Sequence, residues 1–371
     1  MITVFVVIIL LIIGILFPEN EKVSFFGWIY LIWLSVNAPQ KYLLGDYVVY
    51  QYSYNNLITQ DSQFEKGYTL LEYLGNFVGL NFETFRQYFV AIGVIILYFG
   101  VRRFTKNHSL VLAMYIPTIW VVDIIQMRSF VMMSVMVLGF SLLLCNNLIS
   151  KILAVTVILL GASIHSSGYL FLIGLVLYLL VKSISNFIKY LTYGAIIGIL
   201  LLPLLLRSSV FISIISFLGN ITGRSALVNN LSDLFMSGTP INLKLIYYFI
   251  LVLSLTVIVL ITKDNQKIND DKTFIVFKVL VGGITILFVG TVLLDVASDY
   301  SRLIRHGLLY VYILIAWYFQ NVKKNGQITI RQLIIGIATC SLVILVYITS
   351  QITWGSDIPM STPYLLHLTG N

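Results

Sequence analysis

The sequence predicts an all-α, polytopic integral membrane protein, and three observations carry that prediction. Hydrophobic residues make up 59% of 371 positions, charged residues only 10%, and mean hydropathy is +0.95. A water-soluble chain of this size needs a far more polar surface. The apolar residues gather into runs close to the roughly 20 residues that take a helix across a bilayer. The basic residues between the runs are sorted unevenly onto alternate loops.

About twelve segments fit: 2–17, 25–38, 87–101, 109–123, 130–145, 152–164, 169–181, 191–206, 245–262, 273–294, 307–320 and 333–350. Several are short, and 25–38, 152–164 and 169–181 have the length of tilted, broken or re-entrant helices. The run 152–181 is thirty residues, interrupted only at "HSSG", and it is divided there because thirty helical residues overshoot the hydrocarbon. One long tilted helix is the alternative. The opening "MITVFVVIILLIIG" has no positive n-region and no small-residue cleavage site before Pro18, so a retained helix is expected. Cys145 and Cys340 both fall in helices, and no disulfide framework or Cys/His metal spacing is present. With no internal repeat, residues 1–371 form one transmembrane domain, and loops 39–86 and 207–244 are long enough to cap it.

Orientation follows from the loops. One alternate set is short and holds 13 Lys/Arg in 51 residues; the other holds 9 in about 130. The dense set is expected in the cytoplasm, which turns both termini outward. The formal charge of +8 then lies on the inner side, so it reflects orientation and gives no reason to invoke nucleic acid. Inside, ten lysines stand against three arginines. Outside, the balance reverses: Arg86, Arg128, Arg207, Arg224, Arg302 and Arg305 against Lys41, Lys66 and Lys244. Lysine suffices to hold an orientation, whereas arginine grips phosphate through two parallel hydrogen bonds.

Four outward stretches carry the candidate chemistry. In "DYSRLIRHG", helical spacing puts Arg302, Arg305 and His306 on one face, suited to an anionic headgroup or a pyrophosphate. The plainer reading pairs Arg302 with Asp299 or Asp295 and lets Arg305 snorkel to lipid phosphates. Arg128, in "DIIQMRSFVMM", repeats the theme where a loop enters a helix, with a structural pair to Asp123 as its alternative. In loop 39–86, "GDYVVYQYSYNN" sets Asp46 and Tyr50 at i and i+4 among further tyrosines, most of which fit an interfacial aromatic belt. His165, in "ASIHSSGYL", is a titratable group in the longest apolar run. It is either a candidate base or a hydrogen-bonded structural residue. No GxSxG, HExxH, P-loop or paired metal carboxylates occur, so no cofactor and no metal are expected.

The order "GDYVVY", "QMRSF", "IHSSG" and a late arginine-bearing segment resembles the EpsG family, Wzy-like polymerases of bacterial exopolysaccharide, capsule and O-antigen. The resemblance covers most of the chain and implies a GT-C-like helical bundle with large outer loops. It also implies an undecaprenyl-pyrophosphate-linked oligosaccharide as donor and acceptor, at the outer face of the bacterial plasma membrane, with a chain-length regulator and a flippase as partners. Matching positions are Asp46, Tyr50, Arg128 and His165, with Arg302 and Arg305 as late-loop equivalents. On that basis His165 and Asp46 are candidate catalytic residues. Arg128, Arg302, Arg305, His306 and Tyr50 are candidates for pyrophosphate or glycan binding. Arg207 and Arg224 would cover the site or guide the glycan. Two other classes fit the residues: a GT-C transferase adding one sugar from a polyprenyl-phosphate donor, whose acid in the first large outer loop Asp46, Asp61 or Glu65 could supply, and a transporter or flippase for lipid-linked sugars.

Overall fold

A backbone threaded through hydrocarbon must satisfy its own N–H and C=O groups, which favours helix from end to end. The computed structural model describes residues 2–38, 44–57, 64–145, 147–180, 239–265, 271–295, 297–322 and 329–353, with scattered positions between 189 and 213. Among the described residues there is no strand. In chain order, α1 (Ile2–Leu16) and α2 (Glu21–Val36) precede α3 (Leu44–Asn56) and α4 (Lys66–Phe77). Next come α5 (Phe82–Arg102), α6 (His108–Tyr115), α7 (Val121–Ile125), α8 (Met127–Leu142), α9 (Leu148–Ile164) and α10 (Phe171–Leu180). The second half holds α11 (Ile241–Asn265), α12 (Asp271–Leu293), α13 (Ser301–Val322) and α14 (Ile330–Thr353).

Six stretches among the described residues are long and apolar enough to cross a membrane: Phe82–Arg102, His108–Ile125, Met127–Cys145, Ile241–Asp264, Thr273–Leu293 and Ile330–Ser350. Ile2–Leu16, Leu148–Ile164 and Ser166–Leu180 are apolar but shorter. The protein is therefore a multi-pass α-helical membrane protein, with six candidate spans among the described residues beside the twelve read from the whole sequence. The shortfall has local causes. α2 is only 16 residues long, α13 begins with the polar turn "SRLIRH", and only half of 191–206 lies within the described residues.

α13 is nonetheless the centre of the bundle. From Leu303 to Tyr318 its side chains are almost all buried, and α12 runs alongside it. With lipid outside there is little hydrophobic force between helices, so close packing depends on small residues. A methyl group at Gly290 would stand 2.8 Å from the Ile304 backbone nitrogen, and one at Gly307 would run into the backbone of Leu287. Those two glycines fix the height of the first turns of α13, where Arg302, Arg305 and His306 lie.

Three breaks shape the site. Pro117 opens a π-helical turn, Ile116–Trp120, between α6 and α7. Gln126 (φ −93°, ψ 55°) is the single residue between α7 and α8. His165 is extended (φ −148°, ψ 125°) between α9 and a 3₁₀ turn, Ser166–Leu170, that leads into α10. The run 152–181 is thus two helices, divided at "HSSG" as the sequence indicated. Two other expectations change. The stretches 124–129 and 295–306 are mostly helix, so Arg128, Arg302, Arg305 and His306 are helix residues rather than loop residues. Loop 39–86 holds two helices, α3 and α4, and α4 lies on the end of α9 so closely that a methyl group at Gly67 would collide with Ser163.

The two sets of connections gather at opposite ends. At the lysine-rich end Glu21 meets Arg102 at 3.4 Å and Lys106 at 3.6 Å, and Asp264 meets Arg331 at 3.4 Å. At the other end Arg128 pairs with Glu65 at 2.6 Å and Lys244 with Asp295 at 2.5 Å.

Candidate functional site

Beyond Gln126, the first turn of α8 carries Arg128 into the junction with α3 and α4. Its guanidinium lies 3.8 Å from the Phe64 ring centre and 5.3 Å from those of Tyr50 and Tyr68. Flat rings with negative faces favour a cation there. The fourth side is closed by Glu65, whose Oε2 accepts from Arg128 Nη1 at 2.6 Å. The other carboxylate oxygen, Oε1, accepts the backbone N–H of Ser166 at 2.8 Å. One glutamate therefore ties α4, α8 and the α9–α10 break together. The structural pair considered for Arg128 does not form: Asp123 instead accepts from the Tyr115 hydroxyl at 2.8 Å.

His165 follows at that break. Its Nδ1 faces the Ser167 hydroxyl at 2.8 Å and the Ser167 N–H at 3.2 Å, and its Nε2 faces Arg302 Nη1 at 3.3 Å. Arginine has only donors, so the Arg302 contact requires a lone pair on Nε2. In that tautomer Nδ1 holds the proton and donates to Ser167 Oγ, and the longer N–H contact is the one given up. Arg302 is also held by Asp299, through its carbonyl at 2.9 Å and its carboxylate at 3.4 Å. The Asp299 alternative thus holds alongside the His165 contact, whereas Asp295 belongs to Lys244.

Arg305 and His306 leave the same turn of α13 towards α8. Arg305 Nη2 donates to Gln126 Oε1 at 2.7 Å, and His306 Nε2 meets Ser129 Oγ at 3.1 Å. Arg305 also borders a narrow cleft with Thr118, Val122, Tyr247 and Ser350. His306 is 0% exposed and lies behind the arginines. Tyr50 is buried in the box around Arg128 instead of presenting an open ring face.

Asp46 stands in the first turn of α3. Burial pushes its carboxyl up from the ordinary carboxylate value; Arg302 and then Arg128 pull it back, and Asp299 adds to the rise. Its partly buried carboxyl therefore feels both arginines.

Seven of the nine side chains named by the sequence therefore converge. The sequence model of the EpsG family matches residues 38–364. This chain belongs to the EpsG family. EpsG-like proteins are Wzy-type polymerases. No curated protein and no solved structure matches the chain.

Within this EpsG-family chain, Asp46, Tyr50, Arg128, His165, Arg302, Arg305 and His306 come together at one end of the bundle. Arg207 and Arg224 lie outside the described residues. Among the described residues no group of three or more His, Cys, Asp or Glu could hold a metal ion. Sequence reasoning passed over Gln126 and gave Glu65 only as one acid among several. "QMRSF" displayed Gln126 beside Arg128. Nothing in the sequence signalled that Glu65, 63 residues before Arg128, would reach it.

Proposed function

We propose that the protein polymerises lipid-linked oligosaccharide repeat units at the outer face of the bacterial plasma membrane. The growing glycan passes from its undecaprenyl pyrophosphate to the non-reducing-end hydroxyl of a second lipid-linked unit. The observation that carries this reading is the meeting of Arg302 and His165 at 3.3 Å, with Asp46 and Arg128 beside them. They come from α13, the α9–α10 break, α3 and α8, at one end of a membrane bundle.

On this reading the acceptor hydroxyl oxygen attacks the anomeric carbon of the donor. The carbon–oxygen bond to pyrophosphate breaks, the electron pair leaves with the lipid pyrophosphate, and the hydroxyl proton passes to His165. The donor is already activated and needs no nucleotide. Arg302 and Arg128 take up the charge that develops on the leaving group. As Arg302 turns its donors onto the pyrophosphate, the Nε2 lone pair it now occupies is released to the acceptor hydroxyl, so donor binding prepares the base. Asp46 orients that hydroxyl, and Arg305 adds positive potential from the adjoining cleft. His306 holds α13 against α8 as a positioning residue. Helices α3 and α4 form the cap over the site.

The test is polymerisation of purified lipid-linked repeat units by the purified protein, followed across pH. A ladder of products is expected, with a rate that rises as the His165 ring loses its proton. His165→Ala is expected to lose turnover while retaining donor binding, and Asp46→Asn to weaken acceptor use more mildly. A flat profile together with an active His165→Ala protein transfers the base role to Asp46. Absence of any ladder, with one sugar added from a polyprenyl-phosphate donor instead, replaces the polymerase with a single-sugar transferase.

A further inference from the structure

If Arg128 is to present Nη1 to a substrate phosphate, Glu65 must first give that donor up. That carboxylate offers two oxygens to two donors, Arg128 Nη1 at 2.6 Å and the Ser166 N–H at 2.8 Å. Either phosphate of a lipid-linked pyrophosphate would present the same pair of acceptor oxygens to the same two donors, and the pyrophosphate as a whole carries two negative charges against the carboxylate's one. We propose that Glu65 is an internal stand-in for the substrate's pyrophosphate, a carboxylate plug that the lipid-linked pyrophosphate displaces when it binds. The inference rests on the reading of the site given above.

The local structure allows the exchange at little cost to the fold. Glu65 precedes α4 with an extended backbone (φ −64°, ψ 144°), and its side chain makes no capping bond to that helix. It can therefore turn away without unwinding α4, which stays seated because Gly67 lies against Ser163. Arg128 also keeps its place when the carboxylate leaves, since Phe64, Tyr50 and Tyr68 hold it from the other sides. Between turnovers the plug neutralises a buried cation that would otherwise stand unpaired.

A plug of this kind also selects. The bilayer is full of phospholipids whose phosphodiester carries a single charge. An anion that must displace a carboxylate from two charge-assisted contacts is favoured by carrying more charge than the carboxylate does. Pyrophosphate meets that condition and a phosphodiester does not. Glu65 thus disfavours bulk phospholipid at Arg128.

The experiment measures binding of inorganic pyrophosphate and of phosphatidylglycerol to the purified full-length protein in detergent, for wild type, Arg128→Ala, Glu65→Gln and Glu65→Asp. Arg128→Ala is expected to lose pyrophosphate binding at least about ten-fold, the scale of one charge-assisted hydrogen bond. Glu65→Gln, similar in shape but uncharged, is expected to bind pyrophosphate roughly ten-fold more tightly than wild type, and to gain measurable binding of phosphatidylglycerol. Glu65→Asp, whose shorter arm cannot span both donors, falls between the two and keeps the test open should Glu65→Gln not fold. Pyrophosphate binding that is unchanged or weaker in both Glu65 variants, with Arg128→Ala still defective, overturns the plug and leaves the phosphate reading standing. Pyrophosphate binding by Arg128→Ala equal to wild type removes both.

Discussion

Arg102 and Arg128 each pair with a glutamate, at opposite ends of the same bundle, and the two pairs differ in almost everything else. Arg102 is 51% exposed and Glu21 34% exposed, 3.4 Å apart. Arg128 and Glu65 are each 10% exposed, 2.6 Å apart. The first pair stands in water, where such a contact contributes about 0 to 1 kcal/mol. The second has left water, at a desolvation cost of several kcal/mol per ion that only close geometry and additional bonds offset. Glu65 meets that demand with the Ser166 N–H, and Arg128 with three rings. Charge at the lysine-rich end needs only to be present; at the other end it must also be held in place.

The comparison breaks first at Arg128. Arg128→Ala leaves Glu65 buried without its cation and is expected to destabilise the protein by about 3–5 kcal/mol. It is also expected to lower polymer synthesis on the order of a hundredfold, as when a charge-stabilising donor is removed elsewhere. Arg128→Lys keeps the charge but loses the planar stack on Phe64, so partial recovery of both quantities is expected. Thermal unfolding in detergent and polymer yield from the same preparations check this. An alanine variant that melts with the wild type would place Arg128 in the same category as Arg102.

How far these differences could be read in advance depends on the range of the interaction. The class of the protein was plain from its apolar runs, and the division at "HSSG" followed from the thickness of a bilayer. His165, Arg128 and Arg302 were marked because a polar group in such a run is costly. The count of twelve spans is not confirmed: among the described residues six helices are long and apolar enough, and other segments are shorter or interrupted by polar turns. α13 illustrates how composition decides: it is buried from Leu303 to Tyr318, yet its polar first turn keeps it out of the candidate spans. Glu65 was weak in the sequence because its partners are 63 and 101 residues away. No periodicity encodes a contact of that kind. Tyr50 was visible as a ring beside an acid, but whether it faces sugar or an arginine depends on how α3 lands on α8.

Glu72 sharpens the comparison within a single helix. It lies seven residues beyond Glu65, fully buried, with Ser53 Oγ donating to its Oε2 at 3.3 Å and no arginine in contact. Burial is the leading cause that pushes its carboxyl up to about 7, against the opposing pull of Ser53, Tyr68 and Arg128. The folded state therefore keeps a proton that the unfolded chain releases at ordinary carboxylate pH. Its stabilising contribution is complete below about pH 4.5 and is lost as pH rises towards about 7. The total change is on the order of 3 kcal/mol. Glu72→Gln keeps the acceptor and removes the charge, so its unfolding temperature is expected to vary less between pH 5 and 8 and to exceed wild type at the upper end. A variant with the same pH slope as wild type would assign the slope to another group.

The smallest effect is expected where charge is most visible. Arg102 and Arg331 are each about half exposed, and their partners Glu21 and Asp264 sit 3.4 Å away. Both ends of each contact can return to water, so Arg102→Ala and Arg331→Ala are expected to change stability by no more than about 1 kcal/mol. What little they contribute is expected to fade as salt rises above about 0.15 M, where exposed charges are screened within about 8 Å. Unfolding of the Arg128→Ala protein, by contrast, should stay almost independent of salt, since its cost lies in a buried carboxylate. Melting curves of the three variants at low and high salt put the comparison to its finest test. A loss at Arg102 or Arg331 that matches Arg128 and persists in salt would mean that the lysine-rich end is built for geometry as well, and burial would no longer separate the two ends.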